Sequence, residues 1–173
     1  MPLAPKLRCP ALRPAFQVVL VEPEIPPNTG SVARTCAATS SPLHLIEPLG
    51  FRIDDRSLKR AGIDYWHLVQ VHVHASFGAF RAAAPDLRLH LFTANAERSY
   101  LEADLTPGDA LVFGRESVGL SPELLRAHPD RQWAIPTSGA VRSLNLSNAV
   151  AIVLYEALRK NAALAPTFVE PPE

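Results

Sequence analysis

Apolar and polar positions divide the chain into a proline-punctuated start, a long alternating middle and a proline-punctuated end. In the middle, Gln17–Glu22 (QVVLVE) is a short continuous apolar run, as expected of a strand buried on both faces. Leu43–Glu47, Val69–His74, Leu87–Thr93, Ala110–Phe113 and Trp133–Ile135 read as further strands. Between them, Asn28–Thr39, Asp54–Ala61, Ser76–Ala84 and Ser121–Ala127 read as helices. Asn28, after Pro26–Pro27, is placed to cap the first; Asp54 or Asp55 opens the second; Ser121 caps the last, with Pro122 at the favoured first position. The longest helix, from about Asn145 to Lys160, carries Leu146, Val150, Val153, Leu154, Ala157 and Leu158 on one apolar stripe. This alternation predicts an α/β fold, a mostly parallel sheet flanked by helices. Prolines crowd residues 1–15 and 162–173, so these are expected to be a flexible arm and a flexible tail, neither packing as an element. One domain over 16–161 remains.

Composition narrows the function. Of 173 residues, 47% are hydrophobic and 20% charged, an ordinary globular mix that excludes disorder throughout. No apolar run approaches the ~20 residues of a membrane span, so no membrane partner is expected. Formal net charge is zero and the pI about 7.0, which excludes a strongly basic nucleic-acid binder. A local basic patch, or one shared by two subunits, stays open. Cys9 and Cys36 are too few for a disulfide framework, and prolines interrupt the basic N-terminus, so a cytoplasmic location is expected. Cys36, in an apolar helical stretch, reads as a buried free thiol. His72 and His74 share one strand face, either a metal pair or a solvated surface; no Cys/His/Asp cluster accompanies them in sequence, so no metal is expected.

On parallel sheets, ligands bind beyond the carboxyl ends of strands. Three polar, glycine-bearing loops follow predicted strands: Pro23–Gly30, Gly114–Gly119 and Pro136–Asn145. The first leads to Arg34, six residues past Asn28; its plain reading is a proline-rich turn followed by a surface salt bridge. In the second, Gly114 and Gly119 flank Glu116 and allow close backbone approach to a ligand; its plain reading is a strand–turn–helix connection with a solvated acid. The third places Ser143, Asn145, Ser147 and Asn148 where an apolar helix begins. Capping needs one or two of these four, and the surplus suggests ligand contacts or tight backbone packing. Gly-x-Gly-x-x-Gly, the Walker-type Gly-Lys-Ser/Thr and Gly-x-Ser-x-Gly are all absent, which disfavours dinucleotide enzymes, P-loop nucleotidases and α/β-hydrolases.

Taken together and in order, the three loops resemble the motifs of the SPOUT superfamily of RNA methyltransferases. Glu22-Pro-Glu-Ile-Pro-Pro-Asn-Thr-Gly and Lys59-Arg-Ala-Gly-Ile-Asp-Tyr are most similar to the small tRNA (cytidine/uridine-34) 2′-O-methyltransferases. The resemblance covers about Phe16–Lys160. It implies a deep trefoil knot from about Leu89 to the last helix, and S-adenosylmethionine as cofactor. Cofactor contacts carried over by motif are Phe92, Thr93, Gly114, Glu116, Gly119, Leu120, Ile135, Ser143 and Leu144, with apolar Leu120 and Ile135 suited to the adenine. Catalytic positions implied are Arg34, Asn28, Glu116, Ser143 and Asn145. The reaction implied is methyl transfer to a ribose 2′-hydroxyl of the tRNA wobble pyrimidine, in the anticodon stem-loop. A guanidinium does not readily release its proton, so stabilisation of developing alkoxide, or orientation through a phosphate, is the expected role of Arg34. Asn28 and Glu116 are expected to position Arg34 and the cofactor end.

The resemblance also implies a homodimer joined through the first and last helices, with an RNA site shared between subunits. Arg52, Arg56, Lys59, Arg60 and Arg142 are the expected RNA contacts, the first four offset in part by Asp54 and Asp55. Trp66, after Tyr65, is either a stacking surface for a base or a core aromatic. The same transfer on ribosomal RNA or at another tRNA position, and a non-enzymatic RNA-binding protein, stay open as alternatives.

Overall fold

The computed structural model describes residues 5–53 and 66–171. Six strands form one sheet: β2 (Gln17–Val21), β3 (Leu43–Ile46), β4 (Val71–His74), β5 (Leu89–Phe92), β6 (Ala110–Phe113) and β7 (Gln132–Trp133). Their order is β4-β3-β2-β6-β5-β7, and every pairing is parallel. The central strands are mostly apolar because both faces are covered. Val18, Leu20, Leu43, Leu45, Leu111 and Phe113 meet one helical layer; Val19, Ile46, Leu91, Ala110 and Val112 meet the other.

The first layer holds α1 (Pro26–Thr39) and α4 (Leu146–Lys160), packed against each other. All six residues of the expected stripe on α4 are buried. Each of the Leu and Val side chains among them contributes roughly 1.5–3 kcal/mol on burial, so this stripe is a main source of stability. Cys36 of α1 is buried with them, and burial pushes its thiol up to about 12, leaving it unreactive. The second layer holds α2 (Phe77–Ala83) and α3 (Pro122–Ala127), with Phe80, Leu124 and Leu125 against the sheet. Ser76 and Ser121 cap these helices, accepting from Ala79 N at 3.0 Å and Leu124 N at 3.2 Å. The helix expected at Asp54–Ala61 lies outside the described residues.

Two expectations are corrected. Asn28 does not cap α1: the N-cap is Ile25, which makes no side-chain bond, and Asn28 sits inside the first turn with its side chain turned to other elements. The chain ends do form regular structure. Strand β1 (Lys6–Arg8) pairs antiparallel with β8 (Phe168–Glu170), Leu7 opposite Val169, and Arg8 Nε donates to Glu170 at 2.7 Å. Prolines stop strands only where they stand, and both triplets lie between prolines.

The two-residue strand β7 is held by a polar relay. Trp133 Nε1–H donates to His90 Nδ1 at 3.1 Å, so His90 carries its proton on Nε2 and donates to Asp109 Oδ2 at 3.0 Å. Arg88 grips the same carboxylate, with Nη2 at 2.6 Å. Burial works to raise the Asp109 carboxyl, but hydrogen bonds from Arg88, Thr106 N–H and His90 hold it below its ordinary value. The Arg98 guanidinium lies 4.2 Å over the Trp133 ring, and Ser99 bridges to Ala134.

At the other side of the sheet, three histidines gather. Gln17 Nε2 donates to Ala15 O at 3.1 Å, which leaves Gln17 Oε1 to accept from His44 Nε2–H at 2.9 Å. With its pKa lowered to about 4, His44 is neutral near pH 7, so its Nδ1 accepts from His74 Nε2–H at 3.0 Å. His72 stacks on His44 with centroids 4.9 Å apart. Among the described residues, no group of three or more His, Cys, Asp or Glu side chains is arranged to hold a metal.

Burial, reinforced by the charges His72 and His74 would carry, lowers the His44 pKa from 6.5 to about 4. The folded-state value lies below the unfolded one, so the unfolded chain binds more protons between them and stability falls as pH drops from about 6.5 towards 4. Urea melts across that window are expected to show a loss on the order of 3 kcal/mol attributable to this ring. The His44→Gln variant should have the shallower pH dependence; identical profiles would refute the assignment.

Candidate active site

The sheet changes direction between β2 and β6. From β2 the chain moves through α1 to β3 on one side, while β6 closes the other side from β5. A crevice opens beyond the carboxyl ends of strands at such a switch point. There the loop after β2 (Glu22–Ile25) meets the loop after β6 (Gly114–Gly119).

Glu116 joins them. Its Oε2 accepts from Glu24 N at 2.8 Å, and its Oε1 accepts from Ile25 N at 3.1 Å and Asn28 Nδ2 at 3.1 Å. The carboxylate thus clasps the chain entering α1 from a distant part of the sequence. Pro26 and Pro27 bring no N–H groups, and Asn28 N and Thr29 N already reach Ile25 O, so the donors left at this end are Glu24 N and Ile25 N. A negative charge there is also favoured by the helix dipole. The network continues through Asn28, whose Oδ1 accepts from Asn145 Nδ2 at 2.9 Å. Asn145 caps α4, its Oδ1 accepting from Ser147 N at 2.9 Å and Ser147 Oγ at 2.6 Å. The surplus of polar residues at the start of α4 is therefore shared between capping and a bridge to α1.

Four features were not singled out in the sequence. Glu24 reciprocates the clasp, accepting from Ser117 N at 3.0 Å and Ser117 Oγ at 2.9 Å. Glu22 pairs with Arg115. The Arg115–Gly119 turn closes on itself, Gly119 N donating to Arg115 O at 2.9 Å, with Gly119 at φ +74°. Gly50 packs on the loop after β2, where a Cβ would lie 2.5 Å from Glu24 O. Acidic and hydroxyl residues in matching loops are the only sequence signal for these contacts, and it names no partner.

The remaining expected positions are less tightly gathered. Arg34 is exposed on α1. Phe92 is buried and stacks on Phe113 with centroids 5.0 Å apart; Thr93 N donates to Trp133 O at 3.0 Å. Gly114 is buried against Gly119 and Leu120. Leu120 is buried with the α2/α3 layer, whereas Ile135 packs against the α1/α4 layer, so their side chains belong to different clusters. Ser143 is exposed and Leu144 half-buried, at the end of an exposed loop over 136–143. Arg52 and Arg142 are exposed; Arg56, Lys59 and Arg60 lie outside the described residues. Trp66 opens a short 3₁₀ turn (Trp66–Leu68) and packs against the α1/α4 core cluster.

Chemically, the site is a rigid floor of amides and paired carboxylates beside exposed loops and exposed arginines. Among the described residues no group of three or more His, Cys, Asp or Glu is set to hold a metal there, and the Ser117 and Ser147 hydroxyls donate within the clasp, to Glu24 and Asn145. The site suits ordering a ligand and a polar backbone more than covalent catalysis.

Comparison with known proteins agrees with that character. The SpoU rRNA Methylase family model matches residues 15–155. A tRNA (cytidine(34)-2′-O)-methyltransferase of Burkholderia pseudomallei (strain 1106a) is 51% identical over 148 residues, 84% of this chain and 95% of that protein. A structure solved for insight into 2-OH methylation of C/U34 on tRNA superposes with TM-score 0.80 at 48% identity, covering 86% of this chain and 97% of that one. The SpoU methyltransferase AviRb of Streptomyces viridochromogenes, solved with the cofactor AdoMet, superposes with TM-score 0.72 at 26% identity, covering 89% of this chain and 63% of that one.

The clasp is testable without any ligand. Glu116→Ala leaves three donors without their acceptor, and is expected to cost about 2–4 kcal/mol in urea unfolding. Glu116→Gln keeps one acceptor oxygen and should recover part of that loss. An alanine variant as stable as the parent would show that the clasp contributes nothing.

Proposed function

The chain belongs to the SpoU rRNA methylase family, and on that footing we propose that it transfers the methyl of S-adenosylmethionine to the ribose 2′-hydroxyl of the wobble pyrimidine, position 34, of tRNA. The observation that carries this reading is the match, along nearly the whole of both chains, to a protein named for that reaction. It acts on the anticodon stem-loop, in the cytoplasm where tRNA is used.

The loops after β5, β6 and β7 suit the cofactor. Gly119, at φ +74° with open space where a Cβ would be, supports close approach of a ligand to backbone. Phe92, Thr93, Gly114, Glu116, Gly119, Leu120, Ile135, Ser143 and Leu144 are the residues to hold it. Leu120 contributes its backbone, since its side chain is committed to the core. The bound cofactor supplies an electrophilic methyl. Alignment of the hydroxyl and stabilisation of its developing negative charge fall to Arg34. Asn28, Glu116 and Asn145 fix the floor on which both meet, and Ser143 orders the loop before α4. The superfamily's knot is assigned to the segment from Leu89 through α4; β6 slotting between β2 and β5, and Ser99 bridging to Ala134, support it.

The functional unit is a homodimer joined through α1 and α4. Ile152 and Tyr155, 38% and 45% exposed and three apart on α4, support that interface. So does helical geometry: six residues rotate Arg34 about 120° away from Asn28, off the side that meets Glu116. Arg34 then serves a site shared between subunits, with Arg52 and Arg142 on the RNA. The family's own description favours one second reading, the same transfer on ribosomal RNA.

The deciding experiment incubates the protein with S-adenosylmethionine and tRNA from a strain lacking it, then locates new methyl groups by nuclease digestion and mass spectrometry. A 2′-O-methyl at position 34 is expected; methyl only elsewhere, or only on ribosomal RNA, would move the substrate assignment. Arg34→Ala should lower turnover at least ~100-fold while cofactor affinity stays within several-fold. Asn145→Ala should impair both, and unchanged values would remove it from the site.

A further inference from the structure

A cavity of about 1020 Å³ lies beyond the carboxyl ends of β3 and β4. Its walls are Leu49, Phe51, Ile53 and Val73, with Glu47 and Arg52 also lining it. Val73 is 48% exposed, and Phe51 and Ile53 are half-buried, so these apolar groups face an open space. The cavity adjoins the candidate active site. Its loop donates Gly50 N to Pro23 O at 2.9 Å, and Gly50 packs directly on Glu24, the residue that Glu116 holds. The sheet order explains the neighbourhood: loops after β6, β5 and β7 lie on one side of the β2 loop, and this cavity lies on the other.

Resting on the RNA methyltransferase reading, we propose that this cavity receives a nucleobase of the RNA that flanks the acceptor nucleotide. The chemistry selects that occupant. A base has apolar faces that stack on an aromatic ring, and Phe51 supplies one. Its ribose-phosphate carries the charge that exposed Arg52 complements. Glu47, a carboxylate beside that arginine, accepts from a ring or exocyclic N–H and discourages a second phosphate from entering. An extended strand of RNA with its acceptor ribose at the β2 loop passes one neighbouring nucleotide over β3 and β4, whose ends are roughly 5 and 10 Å away. The cavity therefore reads the sequence or shape next to the methylated position, while the loops at the other end of the sheet face the methyl donor.

The test uses fluorescence anisotropy with an anticodon stem-loop RNA, alongside steady-state methylation. Arg52→Glu, at an exposed position that cannot disturb the core, and Phe51→Ala are each expected to weaken stem-loop binding about ten-fold or more. In Phe51→Ala, the KM for S-adenosylmethionine and kcat at saturating RNA should stay within about two-fold. An abasic nucleotide on one side of the acceptor should weaken binding to the parent protein but add little to the loss in Phe51→Ala. Parent-like RNA binding by both variants, or fully additive losses with the abasic RNA, would overturn the cavity assignment. If the parent binds the stem-loop, and the variants do not, yet no methyl reaches position 34, the cavity stands and the reaction assignment fails. If the parent binds no stem-loop RNA, both fail.

Discussion

The structure around the site depends on one carboxylate meeting one helix end. Helix α1 begins with two prolines after an isoleucine, so the donors at its entrance are Glu24 N, Ile25 N and the Asn28 side-chain amide. Glu116, brought alongside by the parallel pairing of β2 and β6, provides the acceptors. A carboxylate bound by two backbone N–H groups and a side-chain amide is strongly held, because each is a charge-assisted bond in a partly buried setting. Through Asn28 the same group reaches Asn145 and hence the start of α4. The loops after β2 and β6 and the two helices of one layer are thereby fixed to each other by a single chain of bonds.

That arrangement also settles an electrostatic problem. A protein of zero net charge offers a polyanion no general attraction, and its site loops contain Glu22, Glu24 and Glu116. Each acid is already engaged: Glu22 with Arg115, Glu24 with Ser117, and Glu116 with the start of α1. Their charge is spent on internal donors and repels a phosphate less than three solvated acids would. The relay under β7 follows the same logic, since Asp109 is met by Arg88 and His90. Arg52 and Arg142, by contrast, are exposed to solvent.

Much of the fold was legible in the sequence because it rests on short-range periodicity. Ala110–Phe113 is a strand because four apolar residues sit between turn residues, and α4 is a helix because its stripe repeats along one face. Asn28 shows where local reasoning stops. An Asn after a turn is a good cap by its neighbours alone, yet its real partners, Glu116 and Asn145, are 88 and 117 residues away. The terminal ribbon was hidden for a related reason: three-residue strands between prolines carry too little periodicity, and each exists only by pairing with the other. The motif resemblance found the loops that meet at the switch point, but not Glu24 and Ser117, which clasp from within them. Leu120 and Ile135 lie against different core clusters, a placement that no local pattern in either loop announces.

Arg34 illustrates how the clasp acts at a distance. It stands six residues beyond Asn28, so the two sides of α1 they occupy differ by about 120°. A residue on the far side of a helix is still governed by how that helix begins. Each residue of register rotates the helix by about 100° and advances it about 1.5 Å. If the first turn slipped by one residue, Arg34 would swing to a different face altogether. Glu116 prevents this by binding three successive landmarks of the start: Glu24 N, Ile25 N and the Asn28 side chain. The clasp therefore sets the azimuth of Arg34 through the stiffness of the helix.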